Sequence, residues 1–231
     1  MLDGYGQLLL SGLAMTLGVS FASFALAFVL GLIGAGAKLY GGRIGRAIGE
    51  TCTVVIRGIP ELVLILLIYY GAPTLIQRSV RLLGDDFAKF RLELDPFTAG
   101  VCTLGLIYGA FATEVFRGAI QSIPKGQIEA GRAYGMSGFT LARMVIFPQM
   151  LRFAVSGLGN VWLVLIKATA LISAIQLNEL MRAAELASAA TRQPFTFYLI
   201  AALFYLAITA ASIPGLKWLE RHAFRGNEAR G

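Results

Sequence analysis

Five long apolar stretches constrain this 231-residue chain more than any other feature. They cover about residues 8–36, 52–76, 97–117, 153–177 and 195–217. Each reaches the ~20 residues with which a helix crosses a hydrocarbon layer. Lipid offers no partner to a backbone amide, so stretches of this kind fold as helices. The expected fold class is therefore all-α: a polytopic membrane protein of five transmembrane helices in one domain, residues 1–231. Composition agrees, with 57% hydrophobic and 14% charged residues, where soluble domains carry about 25% charge. A disordered chain, a disulfide-stapled miniprotein and an ordinary water-soluble enzyme are excluded.

The first stretch is long enough to tilt or to emerge from the bilayer. It lacks a basic n-region and a cleavage site, so it reads as a retained helix. Within it, Ala14, Gly18 and Ala22, then Ala27, Gly31 and Ala35, recur at every fourth residue. Small residues at that spacing allow helices to approach closely in lipid. Asp95 followed by Pro96 reads as a helix N-cap with proline in the first turn.

The net charge is 20 − 13 = +7, and the basic residues fall between the spans. The loop 38–51 holds Lys38, Arg43 and Arg46 against Glu50. The loop 118–152 holds Lys125, Arg132, Arg143 and Arg152 against Glu129. The loops 77–96 and 178–194 are balanced. Basic loops mark the cytoplasmic side, which predicts the N-terminus outside and the C-terminus inside. No basic stripe interleaved with aromatics is present, so the partner is the lipid bilayer and no nucleic acid. Cys52 and Cys102 lack metal-ligand spacing and read as small packing residues. The single histidine, His222, lies in the polar tail. Nothing in the chain reads as a metal, cofactor-binding or catalytic centre.

The segment 118–152 is too long for a turn. Pro124, with Ser122 as a possible cap, suits the start of a helix over 125–134. Gly135 can stop that helix. Ser137 can cap a second one, which Pro148 would end near Phe147. This is a helical hairpin. Ala130, Ala133 and Tyr134 give it a shallow apolar surface, suited to docking another protein or to capping the bundle.

Here the sequence resembles a known family. Glu129-Ala130-Gly131, three residues, Gly135, nine residues, then Val145-Ile146-Phe147-Pro148 is similar to the EAA signature of bacterial ABC importer permeases, which ends in I-x-L-P. The departures are Gly131 for alanine, Val145 for isoleucine and Phe147 for leucine. Arg57-Gly58-Ile59-Pro60, Glu114-Val115-Phe116-Arg117-Gly118 with Ile123-Pro124-Lys125-Gly126-Gln127, Gly159-Asn160 and Lys167-Ala168-Thr169-Ala170-Leu171 resemble elements of the polar amino-acid branch, in order and along nearly the whole chain. The KxTAL form looks most like the Q-type permease subunit of histidine, arginine and opine importers.

The resemblance implies an importer in the bacterial inner membrane. It would have two permease chains (a sister chain or an identical copy beside this one), a cytoplasmic ABC ATPase dimer holding ATP and Mg, and a periplasmic amino-acid-binding protein. Glu129, Ala130, Gly131, Tyr134, Gly135 and Pro148 would belong to the ATPase-coupling element. The sequence is consistent with that division, since it has no G-x-x-x-x-G-K-[ST] loop. The chain itself is expected to be no enzyme and to bind no cofactor.

Ionisable groups inside membrane helices are costly and mark functional candidates. Arg57 and Glu61, four apart, suggest a local pair beside a kink at Pro60. Glu114 and Arg117, three apart, suggest another. Arg57, Pro60, Glu114 and Arg117 are therefore structural or gating candidates. Lys167 near the middle of span four and Glu61 near the middle of span two differ in depth by roughly 7 Å of helix rise. They would pair, or bracket a zwitterion. Asn160 and Thr169 join them as substrate-pathway candidates. Two competing readings remain at this point: an ion-coupled carrier or channel using Glu61 and Lys167, and a non-transporting docking scaffold.

Overall fold

A computed structural model of the chain describes residues 4–81 and 94–224. All regular structure among them is helical. The elements are α1 (Gly6–Tyr40), α2 (Gly42–Gly58), α3 (Glu61–Leu66), a π turn (Leu67–Gly71), α4 (Ala72–Arg81), α5 (Pro96–Gln121), α6 (Lys125–Ala133), α7 (Gly138–Leu141), a second π turn (Ala142–Ile146), α8 (Phe147–Ala168), a 3-10 segment (Thr169–Ile175), α9 (Leu180–Thr191) and α10 (Pro194–Phe224). Five helical lengths are long and apolar enough to cross a membrane: Gly6–Tyr40, Glu61–Val80, Pro96–Gln121, Gly138–Ile175 and Pro194–Ala223.

The centre is the pair α1 and α5, the most extensive helix contact in the chain. They run parallel and in register: Leu26 meets Gly105, Leu30 meets Gly109 and Gly31 meets Ala112. The buried face of α1 runs through Val19, Ser23, Ala27, Gly31, Ala35 and Lys38. A Cβ on Gly31 would sit 2.6 Å from the Ala112 Cβ, so glycine sets the helix separation there. The small-residue stripe is thus used in its second half only. Ala14 and Gly18 face outward.

Around this pair, α8 and α10 pack antiparallel. Trp162 Nε1 donates to Ser212 Oγ at 3.2 Å, and Gly159 faces Leu216. Two hydroxyls inside the bundle return to their own helix: Thr103 donates to the Ala99 carbonyl and Thr113 to that of Gly109. This satisfies them without water. At the start of α5, Asp95 Oδ2 accepts from the Thr98 amide at 3.0 Å, with Pro96 in the first turn.

Several boundaries differ from the sequence reading, among them the end of the fifth span, which runs to Ala223 and takes in His222. Span two runs over Glu61–Val80, not 52–76. The apolar window straddled two helices, because Ile59 and Pro60 are extended (ψ 137° and 134°). Proline disfavours helix in the residue before it, so Pro60 is a break between α2 and α3 rather than a kink inside a span. Pro148 does not end the hairpin's second arm. It sits in the first turn of α8, and helix continues from Gly138 to Ile175. The connection 178–194, read as a loop by its charges, holds α9, which buries Leu180, Ala183, Ala184 and Ala187 against α1 and α10. Cys52 and Cys102 are exposed, not packed inside the chain.

Candidate functional site

The hairpin lies at the end of the bundle where α5 finishes and α8 begins. Ser122 does not cap it; its hydroxyl donates to the Gly118 carbonyl. Pro124 precedes α6, which ends at Tyr134. Gly135 takes φ +74°, the left-handed region that glycine tolerates at a helix end. The Gly135 amide donates to the Arg132 carbonyl and the Met136 amide to that of Gly131, so the turn is hydrogen-bonded throughout. Ser137 Oγ then accepts from the Thr140 amide at 3.2 Å and starts α7. Gly131 is the one buried residue of α6. A Cβ there would meet the tip of the Leu141 side chain, which would have to shift to admit the alanine that the signature carries. Glu129, Ala130, Tyr134 and Pro148 are exposed. Tyr134 at 86%, Phe139 at 76% and Met144 at 65% exposure give the hairpin an apolar surface that the described residues leave uncovered.

Behind the hairpin, Lys38 is 3% exposed and its ammonium is saturated. Nζ donates to Glu50 Oε2 at 2.9 Å, Thr53 Oγ1 at 2.6 Å and Glu114 Oε1 at 2.6 Å. Arg117 completes the group, with Nη2 2.7 Å from Glu114 Oε2. The pairing of Glu114 with Arg117 is therefore present, as one side of a larger cluster joining α1, α2 and α5. Lys38, counted in the sequence only as a loop charge, is its centre. Its signal was the small-residue face: 27, 31 and 35 lead at helical spacing to 38.

Farther along α5, Arg57 and Glu61 do not pair. The Arg57 guanidinium lies 4.9 Å from the centroid of Phe111, and Glu61 Oε1 accepts from Tyr108 Oη at 3.0 Å. Phe111 and Tyr108 are stacked, centroids 5.8 Å apart. A cation and a carboxylate thus stand at the two ends of an aromatic pair, separated by the Pro60 break. An open cavity of about 450 Å³ adjoins Arg57, lined also by Glu50, Thr53, Phe111 and Glu114. Glu61 heads α3 instead of lying mid-span.

Glu61 and Lys167 form no ion pair. Lys167 is in the last turn of α8 and exposed, without a polar partner among the described residues. Asn160, seven residues earlier and on the same face, is likewise exposed. Phe153, Ser156, Asn160, Val164 and Lys167 form a stripe of α8 that the described residues leave uncovered. Thr169 is fully buried, and its hydroxyl donates to the Ile166 carbonyl at 2.6 Å.

A second polar centre was not legible. Glu179, fully buried, caps α9. Its carboxylate accepts from the amides of Met181 and Arg182 at 2.8 Å, from Tyr205 Oη at 3.0 Å and from Thr16 Oγ1 at 3.4 Å. Burial raises its pKa above the usual carboxylate range, and these donors oppose the shift without cancelling it. In the sequence it was one of two acids in a balanced loop; only the fold brings Thr16 and Tyr205 to it.

The family profile described as "Binding-protein-dependent transport system inner membrane component" matches residues 27–225. The histidine/lysine/arginine/ornithine transport system permease protein HisQ of Salmonella typhimurium is 43% identical over 221 residues, covering 96% of this chain and 95% of that one. The octopine transport system permease protein OccQ of Rhizobium radiobacter is 42% identical over 224 residues, covering 97% and 93%. Among solved structures, the crystal structure of an amino acid ABC transporter with histidines superposes with a TM-score of 0.80 at 32% identity, covering 94% of this chain and 95% of that one.

Proposed function

The chain belongs to the family of binding-protein-dependent transport system inner membrane components, and we propose that it is the permease subunit of an ABC importer for basic amino acids or opines. The observation that carries this is full-length likeness to permeases whose names specify histidine, lysine, arginine, ornithine and octopine. Family membership favours it over a carrier or a scaffold. In this reading the hairpin faces the cytoplasm and its exposed apolar surface seats a separate ATPase, which binds ATP and Mg. A periplasmic binding protein delivers substrate to the opposite side, and a second permease, sister or copy, covers the bare faces of α3, α4, α8 and α10.

The hairpin geometry supports a coupling role. Glu129, Ala130 and Tyr134 lie on the outer side of α6. Gly135 holds α6 to α7, and α7 runs into α8 without a stop. Motion of a docked ATPase therefore reaches span four through continuous helix. The pathway would run along the Asn160–Lys167 stripe and past the Arg57–Phe111–Tyr108–Glu61 row. That row presents a cation and a carboxylate to the two poles of a zwitterion. Thr169 supports this wall from inside.

The test is reconstitution with the partner ATPase and binding protein in vesicles, with uptake of labelled arginine, histidine and octopine followed. ATP-dependent uptake of at least one label, competed by the others, is expected. Uptake that persists without the ATPase would replace this reading with a carrier.

A further inference from the structure

An apolar groove of about 790 Å³ lies between α1, α8 and α10. Phe21, Phe24 and Phe28 form one wall, Leu158 and Trp162 the floor, and Leu216 the other wall. The long axis runs from Arg152 to Trp162 on α8, ten residues or about 15 Å of helix. That is half of a ~30 Å hydrocarbon core, the depth of one leaflet. A transmembrane helix from a partner would need the full depth.

The two ends differ. At the Trp162 end the lining is aromatic and aliphatic except for Ser212, whose hydroxyl oxygen accepts from Trp162 Nε1. At the other end stand Arg152 and His222, with Trp218 stacked on His222 at 5.4 Å. Arg152 is exposed and has no hydrogen bond or ion pair among the described residues. The last turns of α10 add Lys217 and Arg221 against the single acid Glu220. Aromatic rings and cations at the head of an apolar slot match the interfacial zone of a bilayer. The groove is also turned away from the polar stripe of α8. It uses Arg152, Val155, Gly159 and Trp162, one residue and so about 100° of helix from Phe153, Ser156 and Asn160.

We propose that this groove binds one phospholipid with an anionic headgroup, its acyl chain lying along Phe21, Phe24 and Trp162 and its phosphate at Arg152 and His222. The proposal does not rest on the transport reading, since it needs only a membrane-embedded chain. Cations near the membrane surface favour anionic lipid, and the phenylalanine wall and tryptophan floor favour an acyl chain over water.

The chain has two tryptophans, and both line this groove, so their fluorescence reports its occupant. The permease complex in detergent is titrated with phosphatidylglycerol carrying brominated acyl chains, and separately with phosphatidylcholine carrying the same chains. A Trp162→Phe/Trp218→Phe variant supplies the background from partner proteins. Quenching is expected at about fivefold lower concentration of phosphatidylglycerol, the size of one basic residue's contribution near a surface. Arg152→Gln should narrow that gap. Gly215 lines the groove with nothing within 4 Å of its added Cβ, so Gly215→Leu should fill the slot and remove quenching by both lipids while leaving the fold intact. Equal quenching by the two lipids, unchanged in Arg152→Gln, would overturn the headgroup assignment. Quenching no greater than the background would show the groove closed by a protein partner and overturn the proposal.

Discussion

Lys38 shows how a single residue can be costly and still stabilise the chain. Its ammonium is out of water, and three acceptors on α2 and α5 offset that. Removing the ammonium leaves Glu114 with Arg117 alone and Glu50 to solvent, a loss between the ~1 kcal/mol of a surface pair and the ~3 kcal/mol low end for a fully buried one. Lys38→Met should therefore lower the thermal midpoint in detergent clearly. Lys38→Met combined with Glu114→Leu should regain part of the loss, because an apolar pair leaves no orphaned charge at their contact. A midpoint unchanged in Lys38→Met would mean the cluster holds nothing together. Glu179 makes a pH prediction. It lies outside the five spans, and burial raises its pKa in the folded chain. The folded state thus keeps a proton that the unfolded state has released. The stabilising contribution is full below the ordinary carboxylate pKa and is lost as pH rises through the raised value. Glu179→Gln should flatten that decline in a pH series of unfolding midpoints. What the sequence disclosed at this scale was uneven. The Glu114–Arg117 pair is local and was legible. Lys38 to Glu114 and Glu179 to Tyr205 depend on which helices become neighbours, which no spacing along the chain encodes.

At the scale of elements, the helices were legible and their limits were not. Apolar length identified five spans, and turn chemistry at Gly135 and Ser137 located the hairpin. Two prolines were misjudged for opposite reasons. Pro60 ends a helix because Ile59 is driven to extended geometry; Pro148 does not end one, because it closely follows the π turn Ala142–Ile146, where the helical hydrogen-bond register shifts. The amphipathic α9 was hidden by its balanced charges. The contrast between two glycines of α1 tests the packing. Gly31→Val should separate α1 from α5 and reduce membrane-integrated yield, since its Cβ meets Ala112. Gly18→Val, with open space around it, should be tolerated. Gly135→Val forces a branched residue into left-handed geometry, at a cost of about 1–3 kcal/mol. Co-purification of the ATPase should fall with it while span integration persists. Retention of a full ATPase complement would argue against docking at the hairpin.

For the whole molecule, the bare surfaces matter more than the core. Lys167 contacts nothing polar among the described residues, so Lys167→Met should change the isolated subunit's stability by no more than about 0.5 kcal/mol. ATP-dependent uptake in the assembled importer should nevertheless drop. If stability and transport both stay unchanged, Lys167 is outside the pathway. The uninterrupted helix from Gly138 to Ile175 has a further mechanical meaning. It extends roughly 57 Å at 1.5 Å per residue, nearly twice a ~30 Å hydrocarbon core. If the rod pivots near Pro148, its hairpin arm is about 15 Å and its arm through the membrane about 40 Å. It is then geared: a small sideways push at the hairpin is magnified two- to threefold at the far end, beside Glu179 and α9. Short strokes at one membrane face would become wide ones at the other, and force would be traded for travel.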